Sequence, residues 1–441
     1  MIAWWCARTS RLGTWLTPYR RRRILAVGAI GGSVGYPLKT VGDRADLLPA
    51  IDTSATLLGV PLLLAFVYAC YRAAAAFDRL PSPVRRHPQV TLHLTFWLAL
   101  VACWLVPPGR GRGVLSVLVV VLPFILWKCG YLLLSGQRGR VSGTSFGDHL
   151  MYIFPLWGGG PVAFGKGLDH LARHEARTSE ALARSQLAGM KLLALSVLWA
   201  LVALAFRGLV FGDPDNPLAQ AVGGRSLGVP RLATLLEGPT RVALPLAWVS
   251  VYSQLALDTL KITIQGHAFI GVLRLFGFYV FRNTYKPLLA ESVLDFWNRQ
   301  YFYFKELMVD FFFLPTFVRR FRSWPRLRMV AAVFAAAGFG NVYYHLLKVQ
   351  VPLIHGDPAA VWTAIEPRAF YGILLATGIA VSMHREQRRR LVQRKTSYAH
   401  RAARIAVVLT FLAVIRIWAV TDTEVGAVRR AEFVLTLVAL R

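Results

Sequence analysis

Charge is scarce in this chain, and acidic charge is the scarcest. Charged residues make up 17% of 441, with 22 Asp+Glu against 51 Lys+Arg. In a soluble protein that basic excess would point to nucleic acid. No basic stretch here is long enough to build a soluble core of its own, so a nucleic-acid partner is not expected. The basic residues fall instead in short loops, residues 20–23, 79–86, 319–328 and 385–404. Such loops stay on the cytoplasmic side, against anionic lipid. Cysteine is also rare: Cys6, Cys70, Cys103 and Cys129 show no paired spacing. They imply neither a disulfide framework nor a thiolate metal site. No internal repeat stands out, which argues against an inverted-repeat transporter. The first eighteen residues lack a small-residue cleavage site after a long apolar core, so no cleavable signal peptide is expected.

What is abundant is apolar sequence, 55% of the chain, with aromatic residues a further mark of membrane helices anchored at the headgroups. A bilayer core needs about 20 apolar residues per helix. The clearest runs are residues 55–76, 90–106, 113–134, 187–206, 242–257, 329–347, 370–383 and 405–420. Residues 24–36 form a shorter run, read as tilted, re-entrant or packed inside the bundle. Its Gly28, Gly31, Gly32 and Gly35 make two small-xxx-small pairs of the kind that lets helices approach closely. The pattern predicts an all-α, polytopic membrane bundle of about nine to eleven helices around a central cavity or tunnel. Along the chain it divides into N-terminal helices and basic loops over residues 1–112, a core over 113–383, and a basic loop with C-terminal membrane helices over 384–441. Loop 385–404 carries eight Lys/Arg and one Glu and reads as inside; loops 212–239 and 348–363 lack basic clusters and read as outside. The run from Met329 then points outward, with His345 near its outer end.

Several segments break the apolar pattern. Residues 166–186 are polar with apolar positions at Leu168, Leu171, Ala172 and Ala176, which predicts an amphipathic helix in the interface. Residues 295–315 are aromatic yet carry Arg299, Lys305, Glu306 and Asp310, too charged to face lipid and too apolar for a free loop. That predicts a cavity-lining segment packed beside the run 329–347. The stretch Phe154-Pro155-Leu156-Trp157-Gly158-Gly159-Gly160-Pro161 cannot face lipid, because its backbone would go unsatisfied; it lines a cavity or is a kinked surface loop. Asp169, His170, His174 and Glu175 cluster, with the two histidines four apart, but no third ligand stands at a familiar metal spacing.

His345 is the most pointed of these features. An ionisable side chain within a membrane helix is costly and marks function by default. Asn341 shares its helix face four residues earlier, and Lys348 follows on the next turn. An amide there can hold an imidazole in one tautomer, as a general base requires. Alternatively, amide and imidazole only bridge helices by hydrogen bonds.

Three places together resemble the membrane-bound O-acyltransferase family, in particular its bacterial branch of polysaccharide and lipoteichoic acid acylation proteins. The family's Phe-Trp-Arg-Arg-Trp-His, Arg-Asp-Tyr and Pro steps meet Asp295-Phe296-Trp297-Asn298-Arg299-Gln300-Tyr301, Val309-Asp310-Phe311 and Leu314-Pro315, without a gap. Its Gly-Leu-Trp-His-Gly meets Val342-Tyr343-Tyr344-His345-Leu346, and its Phe-Pro followed by Gly-Pro meets Phe154-Pro155 and Gly160-Pro161. The resemblance covers roughly residues 123–383. Tyr301 stands where the family has His, Asn or Asp; Tyr344 replaces Trp, and the flanking glycines are absent.

The resemblance implies acyl transfer from a thioester, acyl-CoA or acyl carrier protein, on the cytoplasmic face of a bacterial inner membrane to a hydroxyl of an exported glycan, lipid or other acceptor. No bound cofactor or metal is implied. It casts His345 as general base, with Tyr301, Asn341 and then Asn298 as oxyanion donors. Asn298, Arg299, Asp310, Trp297 and Tyr344 fall at substrate-binding positions. Two other classes compete: a transporter or flippase using the same cavity without covalent chemistry, and a catalytically degenerate or scaffolding member indifferent to His345 and Asp310.

Overall fold

The computed structural model describes residues 1–43, 51–153, 163–221, 223–238, 242–392, 397–421 and 423–438. The Phe154–Pro161 motif lies outside the described residues, as do residues 393–396 of the basic segment. The elements that matter here are helices α1 (Pro18–Asp43), α2 (Thr53–Ala75), α3 (Pro88–Leu105), α4 (Arg110–Gln137), α5 (Phe146–Ile153), α6 (Ser179–Phe211), α7 (Leu244–Leu275), α8 (Val293–Gln300), α9 (Phe302–Met308), α10 (Pro325–Leu346), α11 (Pro358–Val392) and α12 (Tyr398–Arg416). The one isolated β-bridge among the described residues joins Glu175 and Phe278.

The protein is an all-α, multi-pass membrane bundle. Among the described residues, seven helices are long and apolar enough to cross a bilayer: α2, α3, α4, α6, α10, α11 and α12. Helices α1 and α7, of 26 and 32 residues, have the length but carry more polar side chains. Helix is the spanning solution because each backbone N–H and C=O is then satisfied within its own segment. Polar residues set the start of α2, where Asp52 accepts the Ala55 N–H at 2.6 Å.

The chain divides into two compact units. The first joins residues 1–191, 270–281 and 346–361. Helix α4 is its core and is almost wholly buried, with α2 and α3 packed on it. Two glycines permit this. A Cβ on Gly136 would lie 2.4 Å from the Ala74 carbonyl oxygen, and one on Gly59 would lie 2.7 Å from Val117. The glycines singled out in α1 do no such work, since a Cβ on Gly28, Gly31 or Gly35 would meet nothing within 4 Å. Among the described residues, nothing packs against these three positions, although α1 contacts α5, α2 and α4 elsewhere.

Several buried polar groups of the first unit bond to backbone or pack on rings. Lys128, fully buried on α4, donates to the Phe164 carbonyl, and the Tyr131 hydroxyl donates to that of Gly165 at 2.9 Å. Gln350 reaches the Val120 carbonyl at 2.7 Å, and Lys348 lies over the Phe124 ring. The segment 166–186 is not one amphipathic helix. Leu168–Arg173 makes a six-residue helix, the chain then extends to bridge Phe278, and α6 begins at Ser179. The reason lies in tertiary pairing: Ala176 N–H bonds to the Gly277 carbonyl at 2.8 Å, and Glu175 is held by Arg22 of the first basic cluster, which also reaches Asp148 at 2.8 Å. Asp169 pairs with Arg140 at 3.2 Å, and the His170 and His174 rings lie 4.4 Å apart.

His149 on α5 gives this unit a pH dependence. It is buried, with Thr144 Oγ1 2.9 Å from Nε2, and burial pushes its pKa down to about 4. An unfolded histidine titrates near 6.5. The unfolded chain therefore binds the extra proton first, so stability is present above about pH 6.5 and is lost as pH falls toward 4. The loss approaches roughly 3 kcal/mol. Melting curves of the reconstituted protein from pH 7.5 to 4.5 should show it, and His149→Gln should flatten that slope. An unchanged slope in the variant would remove His149 as the cause.

Candidate functional site

The second unit joins residues 192–269, 282–345 and 362–441. Its polar residues gather where the long helices α7, α10, α11 and α12 and the short helix α8 supply side chains.

Helix α8 starts at Ser292, whose hydroxyl accepts the Asp295 N–H at 3.0 Å, and ends at Tyr301. Tyr301 is the joint between α8 and α9. It lines a small cavity of about 10 Å³ with Asp258 and Thr259 of α7, Tyr371 of α11 and Arg416 of α12. That volume suits about one water. Arg416 Nε donates to Asp258 Oδ2 at 2.7 Å, and Gln254 Nε2 donates to Oδ1 at 3.2 Å, so both carboxylate oxygens are occupied.

His345 lies near the end of α10, half-buried. Arg368 of α11 contacts it, Nη1 to Nδ1 at 2.8 Å. A guanidinium has only donors, so Nδ1 must accept. The imidazole is therefore neutral, with its proton on Nε2. Asn341, one turn earlier, is buried. Arg368 and Tyr371 stand three apart on α11 and so neighbour each other. Tyr301 and His345 thus reach adjacent positions along one helix.

The two segments that carry these residues pack together. Trp297 lies 6.4 Å from the Phe304 ring, Phe304 meets Tyr344 edge-on at 4.9 Å, and Tyr344 meets His345 at 5.6 Å. Trp297 and Tyr344 are buried in this aromatic chain. Nearby, the π-helical turn Val309–Phe313, which carries half-buried Asp310, packs on a second one, Phe334–Gly340, within α10. A Cβ on Gly340 would fall 2.7 Å from Phe312, so glycine lets the two turns meet. Such π-turns often occur at functional sites.

Asn298 and Arg299 point elsewhere. Arg299 is held by Asp295, one turn back, at 2.8 Å. Asn298 lines an open cleft of about 900 Å³ with Glu291, Asp295, Ser382, Arg385, His400 and Arg404. There Glu291 takes Arg401 at 2.8 Å and also Arg404.

Four members of the polar cluster were not singled out by sequence: Asp258, Arg368, Tyr371 and Arg416. A signal existed for one pair. Arg416 interrupts the apolar run 405–420, and Asp258 stands one residue past the run 242–257. Charges in such places demand partners. Neither a known family model nor a curated protein matches this chain.

Proposed function

We propose that this protein is a membrane-embedded O-acyltransferase with His345 as general base. One observation carries the reading: the two segments that bear the family-like motifs pack on each other through Phe304 and Tyr344, and bring Tyr301 and His345 to neighbouring residues of α11.

In this reaction an acceptor hydroxyl gives its proton to an imidazole nitrogen as its oxygen bonds to the thioester carbonyl carbon. The tetrahedral oxyanion collapses with loss of the C–S bond, and the thiolate leaves with the proton returned by the imidazolium. Tyr301 is the first choice of oxyanion donor, through its hydroxyl, with buried Asn341 next. Asn298, in the separate cleft, is better suited to contact the donor's body. Bringing both substrates to fixed positions replaces a bimolecular encounter. The donor is acyl-CoA or an acyl carrier protein at the cytoplasmic face of a bacterial inner membrane, and the acceptor a glycan, lipid or other hydroxyl compound on its way out.

The test is transfer of a labelled acyl group from a thioester into candidate acceptors by protein reconstituted in liposomes. Label on the acceptor oxygen supports the reading. Movement of substrate across the bilayer without label transfer would favour a transporter. The orientation has its own check. Ser397→Cys, beside the basic segment, should resist an impermeant thiol reagent added outside intact cells, since basic loops are retained inside. Rapid labelling would invert the topology.

A further inference from the structure

Among the described residues, no carboxylate pairs with Arg368. It stands on membrane-spanning α11, and among the described residues its hydrogen-bond partner is the neutral imidazole of His345. The groups that act on it electrostatically include two more arginines, Arg416 and Arg430, and the hydroxyl of Tyr371. The carboxylates nearby are committed elsewhere: Asp258 to Arg416 and Gln254, and Glu366 to the Ala427 N–H at 3.2 Å. Glu366 is also only two residues away on α11, so it points to a different side of the helix. A guanidinium offers five donors in a fork that matches a carboxylate or phosphate, and such charge-assisted pairs are about twice as strong as neutral ones. A single imidazole is a poor substitute.

The same contact constrains His345. While Arg368 donates to Nδ1, that lone pair is occupied, and Nε2 carries the proton. Neither nitrogen can then accept a proton.

Resting on the acyl-transfer reading above, we propose that Arg368 is the anion-recognition residue of this site and the catch on its base. An oxyanion group of the acceptor, carboxylate or phosphate, takes the guanidinium fork. Arg368 leaves Nδ1, and the freed lone pair receives the proton of the acceptor hydroxyl. Because the guanidinium and imidazole are one hydrogen bond apart, the anionic group and the reacting hydroxyl must be close neighbours in the substrate.

Two measurements separate this from the parent reading. The first needs no turnover. Selective histidine ¹⁵N spectra of the protein in nanodiscs are titrated with inorganic phosphate and with acetate. Either anion should move the His345 signal, assigned by its absence in His345→Gln. In Arg368→Gln the apparent affinity should fall by about tenfold to a hundredfold, the scale of one charged hydrogen bond. Arg368→Lys, which keeps the charge, should recover part of it. The second compares transfer to glycerol phosphate and to glycerol. Wild type should prefer the phosphate by at least about tenfold in kcat/KM, through KM because the fork binds the anion and through kcat because glycerol leaves Arg368 on Nδ1, and Arg368→Gln should bring the ratio near one. A purely structural role would lower both substrates alike and leave the ratio intact. Phosphatidylglycerol vesicles in place of glycerol phosphate distinguish a lipid headgroup from a free phosphorylated acceptor. A His345 signal that ignores both anions, or moves equally in Arg368→Gln, overturns the proposal even if transfer is found. An anion response without transfer to any acceptor sinks the acyl-transfer reading and leaves the anion site standing.

Discussion

On the proposed acyl-transfer function, replacing His345 with glutamine is expected to cut transfer by at least about a hundredfold while the protein still inserts and folds. A positioned general base contributes roughly 10²–10⁴-fold. Glutamine is close in size and its amide oxygen can accept the same Arg368 N–H that Nδ1 accepts at 2.8 Å, so the polar cluster keeps its partner. It has no basic nitrogen, so the proton has nowhere to go. His345→Ala should be equally inactive, but it also strips Arg368 of its acceptor and should cost some stability. Single-turnover transfer from a labelled thioester, with melting behaviour as the folding control, decides the matter. Turnover within a few-fold of wild type in His345→Gln would eliminate the base and move the chemistry, if any, to another group.

The largest stability effect is expected at Asp258. Its carboxylate receives Arg416 at 2.7 Å and Gln254 at 3.2 Å, inside the helices of the second unit. Asp258→Ala would leave Arg416 unpaired in a cluster that also holds Arg368 and Arg430. Breaking a buried pair from one side costs about 3–5 kcal/mol; the pair is partly exposed, so the lower end applies. The double variant Asp258→Leu, Arg416→Leu should regain most of the loss, because no bare charge remains. Denaturation of the four proteins in one detergent gives the cycle. If Asp258→Ala melts with wild type, the pair contributes nothing and solvent is already screening it. A double variant as unstable as the single would mean that packing, not charge, is at stake.

Both predictions rest on groups of unequal legibility. His345 was visible in the sequence because a histidine closing an apolar run needs a polar partner, whether for chemistry or only to bridge helices. Tyr301 and the segment 295–315 were visible as residues too polar for lipid, and their packing beside α10 through Phe304 and Tyr344 agrees with that expectation. Arg368 was not visible. It lies just before the run 370–383, where a charge reads as an ordinary helix flank. Gly28, Gly31 and Gly35 show the reverse error. Their spacing promised a close helix contact, yet they face open space, while the contact is made at Gly59 and Gly136.

The sequence by itself determined which stretches are membrane helices. The eight apolar runs lie mostly in helices, from Thr53–Ala75 to Tyr398–Arg416, and among the described residues seven of those helices are long and apolar enough to span, against the nine to eleven expected. Hydropathy and backbone satisfaction are properties of a segment alone, so they can be read locally. Only the tertiary structure decided the partners. Arg416 meets Asp258 across 158 residues of chain, Arg22 meets Glu175 across 153, and Arg368 rather than Asn341 is seen bonded to the His345 ring. A polar group in an apolar helix announces that it needs a partner, but which one it finds depends on how distant helices rotate and approach. That is set by packing at positions such as Gly136 and Gly340, where the fit of two surfaces, not the composition of either, carries the information.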